Sequence, residues 1–153
     1  MTQLKEGMQA PPFEGIDQTG KLVKSSDYRG KKIVLYFYPK DNTPGCTAEA
    51  CNLRDNYNSF LKKGFVVIGV SMDSEKSHKN FAQKYSLPFS LIADTSKKIL
   101  NDYSVWKEKS LYGKTFMGTL RTTFIIDEKG IIEKIISKVN TSKHSDQIFN
   151  IYQ

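Results

Sequence analysis

Two nearly continuous apolar runs constrain the fold of this chain most. They are KIVLYFY at residues 32–38 and FVVIGV at 65–70, and each has the length and the β-branched or aromatic content of a buried strand. Pro39 ends the first run. Residues 47–63 carry apolar side chains on one rough side, which predicts a helix that Gly64 ends. Because the order is strand, helix, strand, we expect two parallel strands joined by a right-handed crossover.

The rest of the chain continues this alternation and then closes with a hairpin. The predicted elements are a loop-rich start with short strands over 1–30, a helix capped by Ser74 that runs to Tyr85, a strand at 89–93, a short helix from Asp94 or Thr95 to Tyr103, a glycine-punctuated loop at 106–120, two strands at 122–127 and 131–137, and a helix from about Lys143 to the end. This order predicts an α/β three-layer sandwich with a central mixed β-sheet flanked by helices. The length of 153 residues suits a single domain over 1–153.

Nothing in the sequence predicts secretion or insertion into a membrane. The run FVVIGV is far too short to span a bilayer, and the N-terminal stretch MTQLKEGMQAPPF lacks the apolar segment of a signal peptide. We therefore expect a cytoplasmic protein that binds no membrane, although a chain from which a targeting segment had been removed would look the same.

The chain is basic, with a formal net charge of +7, but its lysines are dispersed. They form pairs at 31–32, 62–63 and 97–98, near the ends of predicted elements. Dispersed charge favours an ordinary solvated surface over a nucleic-acid interface, so we expect no nucleic-acid partner. The same charge favours the approach of an acidic protein partner.

The two cysteines, Cys46 and Cys51, lie where the first buried strand gives way to a helix. Open α/β sheets place their sites at such strand ends. The unpaired N–H groups and the dipole of a helix start favour a thiolate, which is the nucleophilic form of cysteine. Gly45 permits a close backbone approach, and Thr43 supplies a hydroxyl able to donate to the thiolate or to a bound oxygen. Cys51 lies on the apolar side of the helix, where an inert buried thiol is as good an interpretation as a functional one.

Three other kinds of site find little support. A Cys-x4-Cys spacing is unusual for zinc, and the sequence has no second cysteine pair. We interpret His78 and His144 as surface residues, so we expect neither a metal cluster nor a Cys–His protease. The GKT triplet at 113–115 is not a phosphate-binding loop, because Glu108 stands where that loop requires a glycine.

The stretch PKDNTPGCT matches the peroxiredoxin signature Pro-x-x-x-Thr-x-x-Cys through Pro39, Thr43 and Cys46. The continuation TAEACNLRD resembles the subgroup called bacterioferritin comigratory protein or peroxiredoxin Q, in which a second cysteine lies five residues further along the same helix. Similar segments cover nearly the whole chain: GMQAPPF at 7–13, DYRGKKIVLYFYP at 27–39, VWKEKSLYGKTFMGTLRTTFIID at 105–127 and the strand GIIEKI. The resemblance implies a thioredoxin-like fold, which agrees with the predicted order of elements.

The resemblance further implies a thiol-dependent peroxidase that reduces hydrogen peroxide and organic hydroperoxides in antioxidant defence and redox homeostasis. Cys46 would be the peroxidatic cysteine, which attacks the O–O bond and becomes a sulfenic acid. Thr43 would hydrogen-bond the thiolate and the substrate oxygen, and Pro39 would shield the sulfur from water. Arg121 would hold the thiolate and stabilise the leaving oxygen. Cys51 would be the resolving cysteine, which forms an intramolecular disulfide with Cys46.

Partners and neighbouring residues follow from the same resemblance. With two cysteines the chain cannot relay electrons further, so a thioredoxin-type dithiol is the expected reductant, and no cofactor or metal is expected. The chain is expected to be a monomer or a weak dimer. Glu49 and Trp106 lie in family-like segments, but a helix-surface charge and a packing aromatic explain them at least as well.

The spacing of the cysteines imposes a constraint of its own. In an intact helix five residues advance about 7.5 Å and turn about 140°, which places the two Cα atoms roughly 8.6 Å apart. A disulfide requires Cα atoms within about 7 Å of each other. Cys46 and Cys51 therefore cannot pair until the first turn or two of their helix unwinds.

Two alternatives stay open at the level of the sequence. A thioredoxin-like disulfide reductase fits the fold, although such enzymes usually carry Cys-x-x-Cys, which is absent. A basic redox-sensing or nucleic-acid-binding module would show a lysine patch on one face and salt-sensitive binding.

Overall fold

The computed structural model describes residues 3–153, so Met1 and Thr2 of the predicted domain lie outside the described residues. The strands are β1 (Glu14–Ile16), β2 (Leu22–Lys24), β3 (Lys32–Phe37), β4 (Phe65–Ser71), β5 (Ser90–Ala93), β6 (Trp106–Leu111), β7 (Lys114–Thr119), β8 (Thr122–Ile126) and β9 (Ile132–Ile136). The α-helices are α1 (Pro44–Asp55), α2 (Tyr57–Lys62), α3 (Glu75–Tyr85), α4 (Lys98–Asp102) and α5 (His144–Ile151), with short 3-10 turns at Ser25–Tyr28 and Thr141–Lys143. In the described part of the chain, no helix is both long enough and apolar enough to cross a membrane.

The central sheet has five strands in the order β5-β4-β3-β8-β9. β3 is parallel to β4, and β4 is parallel to β5. β8 is antiparallel to both of its neighbours, β3 and β9. The sheet is therefore mixed, as predicted, and the strands joined by α1 and α2 have the parallel pairing that a crossover requires.

The sheet is buried on both faces, which explains the continuous apolar run of β3. Successive side chains of a strand point to opposite faces. Ile33, Leu35 and Phe37 pack on the side covered by the N-terminal segment and α4. Val34 and Tyr36 pack on the other side, where α1, α2, α3 and α5 lie. The predicted three-layer arrangement, with helices flanking the sheet, is thereby confirmed.

The helix predicted over 47–63 is in fact two helices, and the first begins earlier, at Pro44. The break falls at Asn56, whose backbone N–H bonds the Leu53 carbonyl at 3.3 Å. The Asn56 side chain donates to the Asn52 carbonyl at 2.9 Å and so takes the acceptor that a continuing helix would use.

The segment predicted as a loop at 106–120 is instead an antiparallel ribbon of β6 and β7. Its turn residues, Tyr112 and Gly113, have φ values of 52° and 76°, as a tight hairpin turn requires. Most of its side chains are exposed. The ribbon therefore lacks the apolar alternation by which a half-buried strand is recognised.

Side chains accept first-turn N–H groups at the starts of α3 and α4. The predicted cap of α3 is correct, since Ser74 Oγ accepts the Ser77 N–H at 3.1 Å. α4 begins at Lys98, later than predicted. Asp94 still caps it, from outside the helix, since its carboxylate accepts the first-turn N–H of Leu100 at 2.8 Å, and Lys97, with φ of 64°, precedes the helix.

The interpretation of both histidines as surface residues was wrong. His78 in α3 and His144 at the start of α5 are fully buried. Each ring contacts polar groups that come mostly from other elements. Such contacts are tertiary, and a single sequence does not reveal them.

Candidate active site

Cys46 lies at the junction predicted for it, in the first turn of α1 beyond the carboxyl end of β3. Its side chain is 1% exposed and belongs to the core beneath α1. Thr43 is the residue before the helix, and its carbonyl accepts the Thr47 N–H at 2.8 Å. The N–H groups of Gly45 and Cys46 come before this first bond, so they have no partner within the helix. They add positive potential beside the sulfur.

Arg121 contacts the sulfur from the neighbouring strand. It precedes β8, which is paired with β3, and this pairing brings it to the start of α1. Its Nη2 lies 3.3 Å from Cys46 Sγ, and its Nη1 donates to Glu49 Oε1 at 2.7 Å. Burial disfavours the charged guanidinium, but Cys46 and Glu49 outweigh that cost and raise the pKa of Arg121. A Cβ on residue 45 would stand 3.3 Å from Arg121 Nη2, so Gly45 leaves room for this contact.

Thr43 and Pro39 lie on the loop between β3 and α1. The Thr43 hydroxyl donates to the Lys40 carbonyl at 2.8 Å. Since a hydroxyl has one hydrogen and two acceptor lone pairs, its oxygen is left to accept a hydrogen bond. Pro39 is partly buried just beyond β3.

Cys51 is partly exposed and lies in the same continuous helix as Cys46. Both cysteines are free thiols. The structure therefore has the closed arrangement in which helix geometry keeps the two sulfur atoms apart.

Glu49 is fully buried, so its interpretation as a helix-surface charge was wrong. One turn beyond Cys46, it bonds Arg121 through Oε1, while Oε2 has no hydrogen-bond partner within residues 3–153. Burial raises the pKa of Glu49 to about 7, against the lowering influence of Arg121. The spacing of three residues from Cys46 places both on one helix face, and that signal could have identified Glu49.

His144 approaches Glu49 from the C-terminal helix, with its Nε2 atom 3.7 Å from Glu49 Oε2. Gln147 Oε1 accepts from the Asn140 N–H at 3.0 Å, which identifies it as oxygen, and it lies 2.9 Å from His144 Nδ1. Nδ1 therefore carries the hydrogen, and Nε2 of the neutral ring accepts from Thr123 Oγ1 at 2.8 Å. Burial lowers the pKa of His144 to about 4.

The pKa shifts of Glu49 and His144 act in opposite directions on stability. Burial raises the pKa of Glu49 from its usual 4.5 to about 7 in the folded chain. Its contribution to folding stability is therefore fully present below pH 4.5 and is lost as the pH rises through 7. Burial lowers the pKa of His144 from its usual 6.5 to about 4 in the folded chain. Its contribution to folding stability is therefore fully present above pH 6.5 and is lost as the pH falls through 4. The two slopes oppose each other between these limits.

Lys109 in β6 is a further cation near the site, and the sequence did not predict it. Burial and the charge of Arg121 lower its pKa, whereas the charge of Cys46 raises it. A Cβ on residue 118 would stand 3.0 Å from Lys109 Cδ, so Gly118 of β7 leaves space for the lysine stem. Because the pairing of β6 with β7 was missed, no sequence signal directed Lys109 to the site.

Known proteins match this chain over most of its length. The AhpC/TSA family matches residues 7–135. The chain is 49% identical over 138 residues to Peroxiredoxin Bcp of Bacillus subtilis, which covers 90% of this chain and 88% of that protein. It is 42% identical over 150 residues to Peroxiredoxin Bcp of Escherichia coli, covering 98% and 96%. A solved peroxiredoxin Q of Xanthomonas campestris, a cysteine-to-serine mutant, has a TM-score of 0.88 and 33% identity over 96% of both chains.

A buried thiol at a helix start, next to an arginine in a thioredoxin-like fold, defines the class of thiol-dependent peroxidases. The chain belongs to the AhpC/TSA family, and its relatives there are the Bcp and peroxiredoxin Q proteins. The predicted fold class, family and peroxidase activity are thereby confirmed. The matches favour the peroxidase over the disulfide-reductase and nucleic-acid-binding alternatives.

Proposed function

We propose that Cys46 is the nucleophile of this peroxidase and that Arg121 is its electrostatic partner. The observation that carries this proposal is the contact of 3.3 Å between Arg121 Nη2 and Cys46 Sγ at the start of α1. The guanidinium and the free N–H groups of the first turn stabilise a thiolate in a site almost closed to water.

The reaction with peroxide forms one S–O bond and breaks the O–O bond. The Cys46 thiolate attacks one oxygen, which stays on sulfur as sulfenic acid, and the other leaves as an alkoxide or hydroxide that takes up a proton. Arg121 stabilises the negative charge that develops on the leaving oxygen. The Thr43 oxygen, whose hydrogen is bonded to Lys40, accepts the peroxide O–H and orients it. Pro39 limits access of water to the sulfur.

Cys51 then resolves the oxidised site. Its sulfur bonds to Cys46 Sγ and the sulfenic oxygen leaves as water, after α1 has unwound far enough for the sulfur atoms to meet. A thioredoxin-type dithiol supplies the two electrons that reduce the disulfide. The chain has two cysteines, so the reductant must attack this disulfide directly.

Stopped-flow oxidation with hydrogen peroxide tests the nucleophile and its partner. Cys46→Ser should abolish peroxide consumption in the presence of thioredoxin, thioredoxin reductase and NADPH. Arg121→Ala should slow Cys46 oxidation by roughly 10²–10³-fold, as the loss of a charge-stabilising donor does. Arg29→Ala is the matched control, because that guanidinium bonds the distant Lys129 carbonyl. An unchanged rate in Arg121→Ala would remove it from the mechanism.

Substrate range, location and assembly belong to the same proposal. We expect reduction of both hydrogen peroxide and organic hydroperoxides, and comparing oxidation rates with hydrogen peroxide and cumene hydroperoxide tests that breadth. We expect a cytoplasmic location. We expect a monomer or weak dimer that binds neither membranes nor nucleic acid.

A further inference from the structure

A second buried polar cluster lies behind the loop that carries Thr43. Asp41 of this loop accepts from Tyr38 Oη through Oδ1 at 2.7 Å. Its Oδ2 accepts from Ser77 Oγ at 2.8 Å and lies 2.6 Å from His78 Nδ1. The other ring nitrogen, His78 Nε2, faces the Ile92 carbonyl at 3.0 Å.

Hydrogen-bond accounting defines the links within this cluster. The Ile92 carbonyl can only accept, so His78 Nε2 donates to it. One hydrogen then lies between His78 Nδ1 and Asp41 Oδ2, and the two side chains it joins are 0% and 3% exposed. Asp73 lies near Asp41 and His78, and the three side chains are close enough together to be considered as metal ligands. However, His78 Nδ1 and Asp41 Oδ2 are 2.6 Å apart and share a hydrogen. A metal ion would have to displace that hydrogen.

The pair controls the orientation of one peptide group beside the site. The peptide unit between Lys40 and Asp41 donates its N–H to Asp73 Oδ2 at 2.9 Å. The carbonyl of the same unit accepts the Thr43 hydroxyl at 2.8 Å. Because a peptide unit is planar, fixing Asp41 through its side chain and its N–H also fixes the acceptor that directs the Thr43 hydroxyl.

We propose that His78 is a positioning residue for peroxide reduction, because its buried hydrogen bond with Asp41 holds the Lys40–Asp41 peptide that orients the Thr43 hydroxyl. This inference rests on the proposed function of Cys46 and Thr43. His78 belongs to α3, a helix outside the thiol site, so in this proposal α3 controls how the peroxide is oriented. The thiolate itself depends on Arg121 and α1.

The test compares two reactions of Cys46 in a Cys51→Ser background, where it is the one thiol left. Peroxide attack requires an oriented O–O bond, whereas alkylation by iodoacetamide reports thiolate content and access. His78→Leu and Asp41→Asn should each slow oxidation by hydrogen peroxide at least about tenfold, as misplacement of a positioning group does. Both should leave the alkylation rate nearly unchanged. Asp41→Asn preserves shape, and so serves if His78→Leu does not fold.

Two controls separate positioning from general destabilisation. Ser74→Ala removes the cap of the same helix and should lower stability without changing the ratio of the two rates. In a Thr43→Val background, His78→Leu should cause no further loss of peroxide rate. The proposal is overturned if oxidation is unaffected, if both rates fall together, or if the effects of His78→Leu and Thr43→Val multiply. Failure of the proposed function is distinguishable, because Cys46 of the unsubstituted chain would then not react with peroxide.

Discussion

Asn52 joins the resolving half of α1 to the C-terminal segment, and replacing it should accelerate disulfide formation. Its Nδ2 donates to the Ser142 carbonyl at 3.0 Å, and its Oδ1 accepts the Ser145 N–H at 2.7 Å. Asn52 is adjacent to Cys51, whose sulfur must travel towards Cys46 in the proposed mechanism. These two bonds therefore have to break, or stretch, before the disulfide forms.

The magnitude follows from the number of bonds lost. Each hydrogen bond contributes about 1 kcal/mol net, so Asn52→Ala destabilises the closed helix by about 2 kcal/mol relative to the open one. Since each 1.36 kcal/mol is a factor of ten in rate, resolution should become about 30-fold faster. Asn52→Asp keeps the acceptor for the Ser145 N–H and loses the donor to the Ser142 carbonyl. It should therefore make disulfide formation about fivefold faster by the same conversion.

Single-turnover oxidation with acid quench and mass analysis measures this step directly. A second readout is the peroxide dose that overoxidises Cys46 to sulfinic acid, because a shorter-lived sulfenic acid meets less peroxide. That dose should rise in Asn52→Ala. The exposed Asn58 of α2 provides a control in Asn58→Ala. A lower urea midpoint with an unchanged rate of disulfide formation would refute the reasoning, since the bonds would then stabilise the fold without opposing resolution.

Further predictions concern the same helix and the buried residues Glu49 and His144. Cys51→Ser should leave the first oxidation rate unchanged and let a dithiothreitol-reducible sulfenic acid accumulate, as a dimedone adduct would show. Amide exchange over 46–52 should be faster in the oxidised chain, and equal protection in both redox states would count against unwinding. The urea midpoint of His144→Gln should fall from pH 5 to 7 because the Glu49 contribution is then unopposed, whereas that of Glu49→Gln should rise from pH 4 to 6.5. Parallel pH profiles would contradict those two shifts.

The parts of the fold that the sequence predicted are those that bury a periodic face. β3 and β4 are buried on both sides and read as continuous apolar runs. The ribbon at 106–120 is mostly exposed, so its strand character left no hydrophobic pattern. The break at Asn56 depends on a single side chain competing for one carbonyl, a local choice that helical periodicity does not register.

The candidate site divides in a similar way. Cys46 could be recognised from its place at a strand end and helix start, and Arg121 from family resemblance. Glu49, His144 and His78 are polar residues whose burial depends on partners from other elements. Their sequence neighbours resemble those of a solvated surface, so their burial could be recognised only from the tertiary contacts.

Activation and resolution make opposite demands on α1, and the contacts suggest how both are met. In the proposed mechanism the Cys46 thiolate needs the first turn of the helix, whereas the disulfide with Cys51 needs that helix to open. The proposed positioning groups are fixed largely from outside α1: Asp41 by His78 of α3, and Arg121 by its place before β8. Glu49 is the exception, because it lies within α1 and its bond to Arg121 must adjust when the helix opens. Opening of α1 therefore need not dismantle the positioning groups, and reduction of the disulfide can restore the site by refolding that helix alone.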